Sequence, residues 1–135
     1  MSARKTLEQQ RAKHAWDAIQ KLLKSLEKDQ KLSKEDKGAY AALAQKIPTL
    51  ILTNGLGQTL AFLKSKKDNP HQWLLCHLSE WTLRQVDPNA SQQDLLEWVL
   101  EHDSNAYRRA TVEALAYLTW LKRFAEAELK VEGSE

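Results

Sequence analysis

Between Leu7 and Leu129 the apolar residues of this chain recur three and four positions apart, in long stretches broken by only three glycines and three prolines. That spacing lines one face of an α-helix, whereas a half-buried strand needs every second residue apolar. The pattern therefore holds the chain to helices. Leu and Ala together number 38 against 7 for Val and Ile, and unbranched side chains keep their rotamer freedom in a helix. At 135 residues the chain fits one helical domain, 1–135 with a folded part at about 5–130, large enough to bury roughly 70% of its unfolded surface.

Leu7, Ala15, Ala18, Leu22 and Leu26, with Trp16, Ile19 and Leu23 beside them, predict an amphipathic helix from about Thr6 to Lys28. Arg4, Lys5, Arg11, Lys13, Lys21 and Lys24 make its other face basic. The connector KDQKLSKEDK ends in a capping box of Ser33 and Asp36, which opens a second helix near Lys34. Its stripe, Tyr40, Leu43, Ile47, Leu50 and Ile51, runs through Pro48, so a kink or a restart is expected there. Asn54-Gly55 is a hairpin signal when its flanks alternate, but Leu56, Leu60 and Leu63 keep a helical period. The reading is helix, break, helix.

Asn69 before Pro70, with Gln72 following, starts a fourth helix, PHQWLLCHLSEWTLRQV, which ends before Asp87-Pro88. Ser91 with Asp94 caps a short helix, QQDLLEWVLEH. Asp103 or Ser104 opens the last and longest, in which Tyr107, Ala110, Ala114, Tyr117, Leu121 and Phe124 line one face. The tail KVEGSE is expected to fray. The fold class is all-α, a single compact bundle of about six helices.

No apolar run is long enough to span a membrane and the N-terminus lacks a hydrophobic signal core, so a cytoplasmic protein without a membrane partner is expected. Cys76 is the only cysteine, which excludes an intrachain disulfide and a thiolate zinc cluster; in WLLCHLSEW its default reading is a small buried side chain. The net charge of +2 hides an asymmetry. Residues 1–67 hold 14 Lys and Arg against 6 Asp and Glu, and residues 68–135 hold 6 against 12. A basic half suits a polyanion and an acidic half a basic neighbour, although lysines also serve solubility.

GLGQT meets neither the P-loop nor the dinucleotide fingerprint. Gly55 is read first as a turn residue and Gly57 as a point of close helix approach. A second reading stays open: a helix starting near Gly55 turns N–H groups outward, where a phosphate could dock beside Asn54 and Gln58. His14, His71, His77 and His102 form no metal-binding pair, since His71 and His77 lie roughly 240° apart around a helix. No metal, cofactor or catalytic constellation is expected. The five tryptophans, Trp16, Trp73, Trp81, Trp98 and Trp120, fall beside apolar neighbours on predicted helices, as core or subunit-interface residues do more often than base-stacking ones.

KIPTLILTNGLGQTLAFLKSK, then HLSEW, then DLLEWVLEHDSNAYRRATVEALAYLTWLKRFAEAEL, resembles the small all-helical subunit family of the type III-B CRISPR effector, the Cmr complex. The similarity runs from LEQQRAKHAW to about Leu129, and the blocks from Pro48 to Leu56 and from Tyr107 onward are its most specific parts. The resemblance implies a non-catalytic subunit of an antiviral RNA-targeting complex. It implies stacking in more than one copy beside larger subunits and lining of the groove that holds guide RNA and target RNA. Its partners would be other Cmr subunits, guide RNA, target RNA and further copies of itself. Base pairing would then read sequence while protein contacts phosphate and sugar.

The resemblance names no contact positions. Charge and expected exposure single out Arg11, Lys13, Lys46, Lys64 and Lys67 in the basic half, with Arg108, Arg109 and Arg123 on the last helix, as RNA-binding candidates. The alternative is a generic helical adaptor that binds only protein partners, its lysines serving solubility. An enzyme reading, a small nuclease or nucleotide hydrolase, lacks the constellation it needs.

Overall fold

The computed structural model describes residues 5–28 and 34–129. They form six α-helices: α1 (Leu7–Lys28), α2 (Lys34–Asn54), α3 (Leu56–Ser65), α4 (Asn69–Val86), α5 (Leu95–Glu101) and α6 (Ser104–Leu129). No strand occurs among the described residues, and the fold is the expected all-α bundle. Arg4, Ser33 and the tail KVEGSE lie outside the described residues. No helix is long and apolar enough to cross a membrane among the residues described.

Local chemistry sets the helix starts. At α1 the Gln9 N–H donates to Thr6 Oγ1 (3.1 Å) while the Thr6 N–H donates to Gln9 Oε1 (2.8 Å), a reciprocal capping box. α4 begins one residue earlier than the sequence indicated. Asp68, not Asn69, is its cap and accepts from the His71 N–H at 3.3 Å; a charged carboxylate there also meets the positive end of the helix dipole. α5 is shorter than expected. Asp94 alone caps it, accepting from the Leu96 N–H at 2.9 Å, and Ser91 lies outside the helix. Asp103 caps α6 through the Ala106 N–H at 2.9 Å.

α2 neither stops nor restarts at Pro48; the helix runs on to Asn54. Tyr40, Ala44, Ile47 and Ile51 are buried on both sides of the proline, and α2 packs on α6. That apolar burial outweighs the roughly 3 kcal/mol that an interior proline costs. The real break is one residue long. Gly55 takes φ 89° and ψ 160°, a region essentially closed to side chains, and α3 begins at Leu56. Tyr107 of α6 fills the angle, its hydroxyl accepting from the Gly57 N–H at 2.7 Å. A Cβ at Gly57 would lie 3.2 Å from that hydroxyl, so close helix approach is what Gly57 allows. Gly55→Ala is expected to lower the unfolding free energy by about 2 kcal/mol, measured by urea denaturation; an unchanged midpoint would mean that the break relaxes freely.

α6 is the central helix and packs on α1, α2 and α4, while α3 packs on α2, α4 and α5. Trp81 and Trp98 are buried, Trp73 and Trp120 half-buried, and Trp16 is exposed. Cys76 is exposed, contrary to the expectation of burial. The buried stripe of α4 is Leu74, Leu75, Leu78, Trp81 and Thr82, and helical rotation carries position 76 off that stripe. Desolvation and the neighbouring Glu80 carboxylate push the Cys76 thiol up, away from thiolate reactivity.

Two histidines bind the bundle internally. His14 contacts the Tyr117 hydroxyl through Nδ1 (2.7 Å) and Glu80 through Nε2 (2.8 Å), and His77 Nδ1 contacts the Tyr40 hydroxyl at 2.6 Å. Burial pushes His77 down to about 4, helped by the nearby His14. Burial also lowers His14, against the pull of Glu80. Unfolded histidines take up protons near pH 6.5, before these folded ones do. The stability they contribute is thus complete above about pH 6.5 and is lost as pH falls toward about 4. Urea titrations should show a loss on the order of 2 kcal/mol across that window, flattened in His77→Gln; equal slopes in the two proteins would contradict this.

Candidate nucleic-acid interface

Where α2 and α3 diverge at Gly55 they leave a cleft of about 530 Å³. Leu50, Thr59 and Phe62 are its less exposed lining, and Lys46, Thr53, Asn54 and Gln58 are its exposed rim. No carboxylate lines it. The Lys46 ammonium lies 5.6 Å from the centroid of the Phe62 ring and the Lys66 ammonium 5.7 Å from it. The His71 ring meets Phe62 edge-on at 5.5 Å. Two cations thus lie over one ring, Lys46 on the cleft rim and Lys66 beyond it, neither making an ion pair among the described residues, although the Lys66 charge helps hold the Asp68 carboxyl down.

Helix geometry explains the grouping. Phe62 and Lys66 are four apart on α3 and so share a face, and packing of α3 against α2 brings Lys46 to the same ring. The N-terminus of α3 itself is largely engaged within the fold. The Gly57 N–H is held by Tyr107, and both the N–H and hydroxyl of Thr59 donate to the Gly55 carbonyl, at 3.2 Å and 2.9 Å. Asn54 and Gln58 remain exposed.

The other candidates divide. Arg11 holds Glu113 of α6 in a two-pronged ion pair, Nε–Oε2 at 2.6 Å and Nη2–Oε1 at 2.9 Å, and its side chain is 19% exposed. Lys64 pairs with Asp94 and Lys13 with Asp17 at 3.0 Å. Lys67 is exposed, its ammonium donating to the Lys64 carbonyl at 3.4 Å. Arg108 and Arg109 are exposed beside a separate groove whose lining also includes Gln85, Val86, Val112 and the carboxylate-bearing Glu113. They follow Tyr107 directly, so the Tyr107–Gly57 contact sets the start of α6 against the α2–α3 break. Arg123 is exposed on the same helix but roughly 22 Å further along it.

The structure thus gathers Lys46, Asn54 and Gln58 into one site and leaves Arg11, Lys13 and Arg123 apart from it. Sequence reasoning singled out neither Lys66 nor Phe62. Their spacing of four was a usable signal; the approach of Lys46, sixteen residues earlier, had none.

These features define a class, a small all-α bundle with a basic cleft between two of its helices. The chain belongs to the Cmr5 family of CRISPR-associated proteins: residues 7–128 match the family model described as "CRISPR-associated protein (Cas_Cmr5)". A relative from Thermus thermophilus, named "CRISPR system Cmr subunit Cmr5", is 36% identical over 105 residues, covering 77% of this chain and 88% of its own. The crystal structure of a CRISPR-associated Cmr5 family protein from Thermus thermophilus is similar with a TM-score of 0.70 and 27% identity, covering 94% of this chain and all of that one.

Proposed function

We propose that this chain is a non-catalytic structural subunit of a type III-B Cmr complex in antiviral defence, lining the groove that holds guide and target RNA. The observation that carries the reading is the carboxylate-free cleft at the α2–α3 break, with Lys46 and Lys66 unpaired over Phe62. Lys46 makes no ion pair and Lys66 only a longer-range attraction to Asp68, so both ammonium groups are available to phosphate. Asn54 and Gln58 on the same rim join this contact surface, exposed Lys67, Arg108 and Arg109 would add cations outside the cleft, and Arg11, Lys13 and Lys64 spend their charge on carboxylates of the chain itself.

Protein partners are assigned to a different surface. Trp16, 38% exposed, meets the Phe124 ring edge-on at 5.2 Å, and Trp120 lies against the same ring at 5.8 Å. Such an aromatic patch between α1 and α6 suits contact with another Cmr subunit or a further copy of this chain. If this patch were the whole function, the chain would be the protein-only adaptor.

Reconstitution of the guide-loaded complex with and without the chain tests the reading, scoring co-purification and retention of target RNA across a salt series. Incorporation with tighter, salt-sensitive retention is expected. Incorporation with unchanged retention would leave the adaptor role, and failure to incorporate would remove the complex from its function.

A further inference from the structure

We infer that the Phe62 cleft receives one unstacked base of a single-stranded stretch of RNA, beyond contacting backbone phosphate. The inference rests on the RNA reading above and names what the cleft would take. A phosphate needs only a cation at a surface; this open cleft, at about 530 Å³, has room for a planar organic group beside its ring. Its aromatic member is half-buried, and Lys46 of the cleft and Lys66 next to it hold ammonium groups 5.6 Å and 5.7 Å from the ring, on flexible stems that can swing to the phosphates flanking a seated base. Phe62 would then offer a stacking surface, as aromatic residues do in single-strand sites. The Asn54 and Gln58 amides on the rim each present donors and an acceptor, which suits the hydrogen-bonding edge of any base. An A-form duplex keeps its bases stacked, so its helical stem could not fill the site; a loop, an end or a displaced nucleotide could.

The experiment uses the full chain at low salt, with fluorescence anisotropy against three probes of equal length: a single-stranded RNA, the same backbone without bases, and an A-form RNA duplex. The proteins are the wild type, Phe62→Leu, Phe62→Tyr and the pair Lys46→Ala with Lys66→Ala, each checked for a wild-type circular dichroism spectrum. Phe62→Leu is expected to weaken binding of the base-containing single strand about tenfold, the worth of one base–aromatic stack, and to leave the baseless strand and the duplex unchanged. Phe62→Tyr, which keeps a ring, should restore most of the affinity, and the lysine pair should weaken all three probes. If Phe62→Leu leaves the single strand unchanged, or weakens the baseless strand equally, while the lysine pair still matters, base capture is wrong and phosphate contact stands. If the lysine pair changes nothing, or the wild type binds no probe, base capture fails and the cleft's RNA-contacting role fails with it.

Discussion

Glu113→Ala is expected to lower the unfolding free energy by about 3 kcal/mol, seen as a melting point roughly 10 °C lower. Glu113 lies on α6, 8% exposed, and accepts from Arg11 of α1 at 2.6 Å and 2.9 Å and from the Trp81 indole of α4 at 2.9 Å. One carboxylate thus fastens three helices. Its removal leaves a buried indole N–H without an acceptor and a mostly covered guanidinium without its counter-charge. Trp81 in turn stacks on Tyr117, their planes 17° apart, so a displaced indole would loosen the core. Arg11→Met combined with Glu113→Met should be less destabilised than Glu113→Ala, because no unpaired charge remains. A change within about 0.5 kcal/mol for Glu113→Ala would place it with ordinary surface substitutions and refute this account.

The same carboxylate gives an acid dependence. Burial by itself pushes Glu113 up, but hydrogen bonds from Arg11 and Trp81 and the guanidinium charge outweigh it and hold the group below its usual range. A carboxylate so lowered contributes stability above its unfolded pKa and loses it as pH falls through its folded one. The decline below pH 4.5 should therefore be shallower in Glu113→Gln than in the wild type.

Reversing charge at the cleft, Lys46→Glu with Lys66→Glu, is expected to reduce target retention by the assembled complex by about 10- to 100-fold at physiological salt. The slope of log affinity against log salt should flatten by about 1.4, two single-strand phosphate contacts' worth. All target sequences should suffer alike, because phosphate carries no sequence information. Loss confined to one sequence, or an unchanged slope, would rule out backbone contact at these lysines. Lys64 makes a poor substitute, since a glutamate there would face Asp94 and unsettle the fold. Lys13 is weaker too, its charge already met by Asp17.

The helices were legible because the forces that make them act within four residues. Apolar spacing located all six, Thr6 and Asp103 marked two of their starts, and Asn54-Gly55 marked the break. Where two neighbours competed for one local role the reading slipped by a residue, as with Asp68 and Asn69, or reached too far, as at α5. At Pro48 a kink or a restart was expected, and the restart does not occur: burial of α2 against α6, a tertiary term, carries the helix through the proline.

The charges show the division most plainly. Along the chain the two halves look like opposite poles, yet folding sets basic residues of the first against acidic residues of the second, Arg11 on Glu113 across 102 positions and Lys64 on Asp94 across 30. Sequence alone determined how many cations there are, and on which helices. Only the tertiary structure decided which are neutralised within the fold and which, at Lys46 and Lys66, stay unpaired over a shared ring. Coulomb attraction depends on distance through space, and that distance is fixed by how the helices pack.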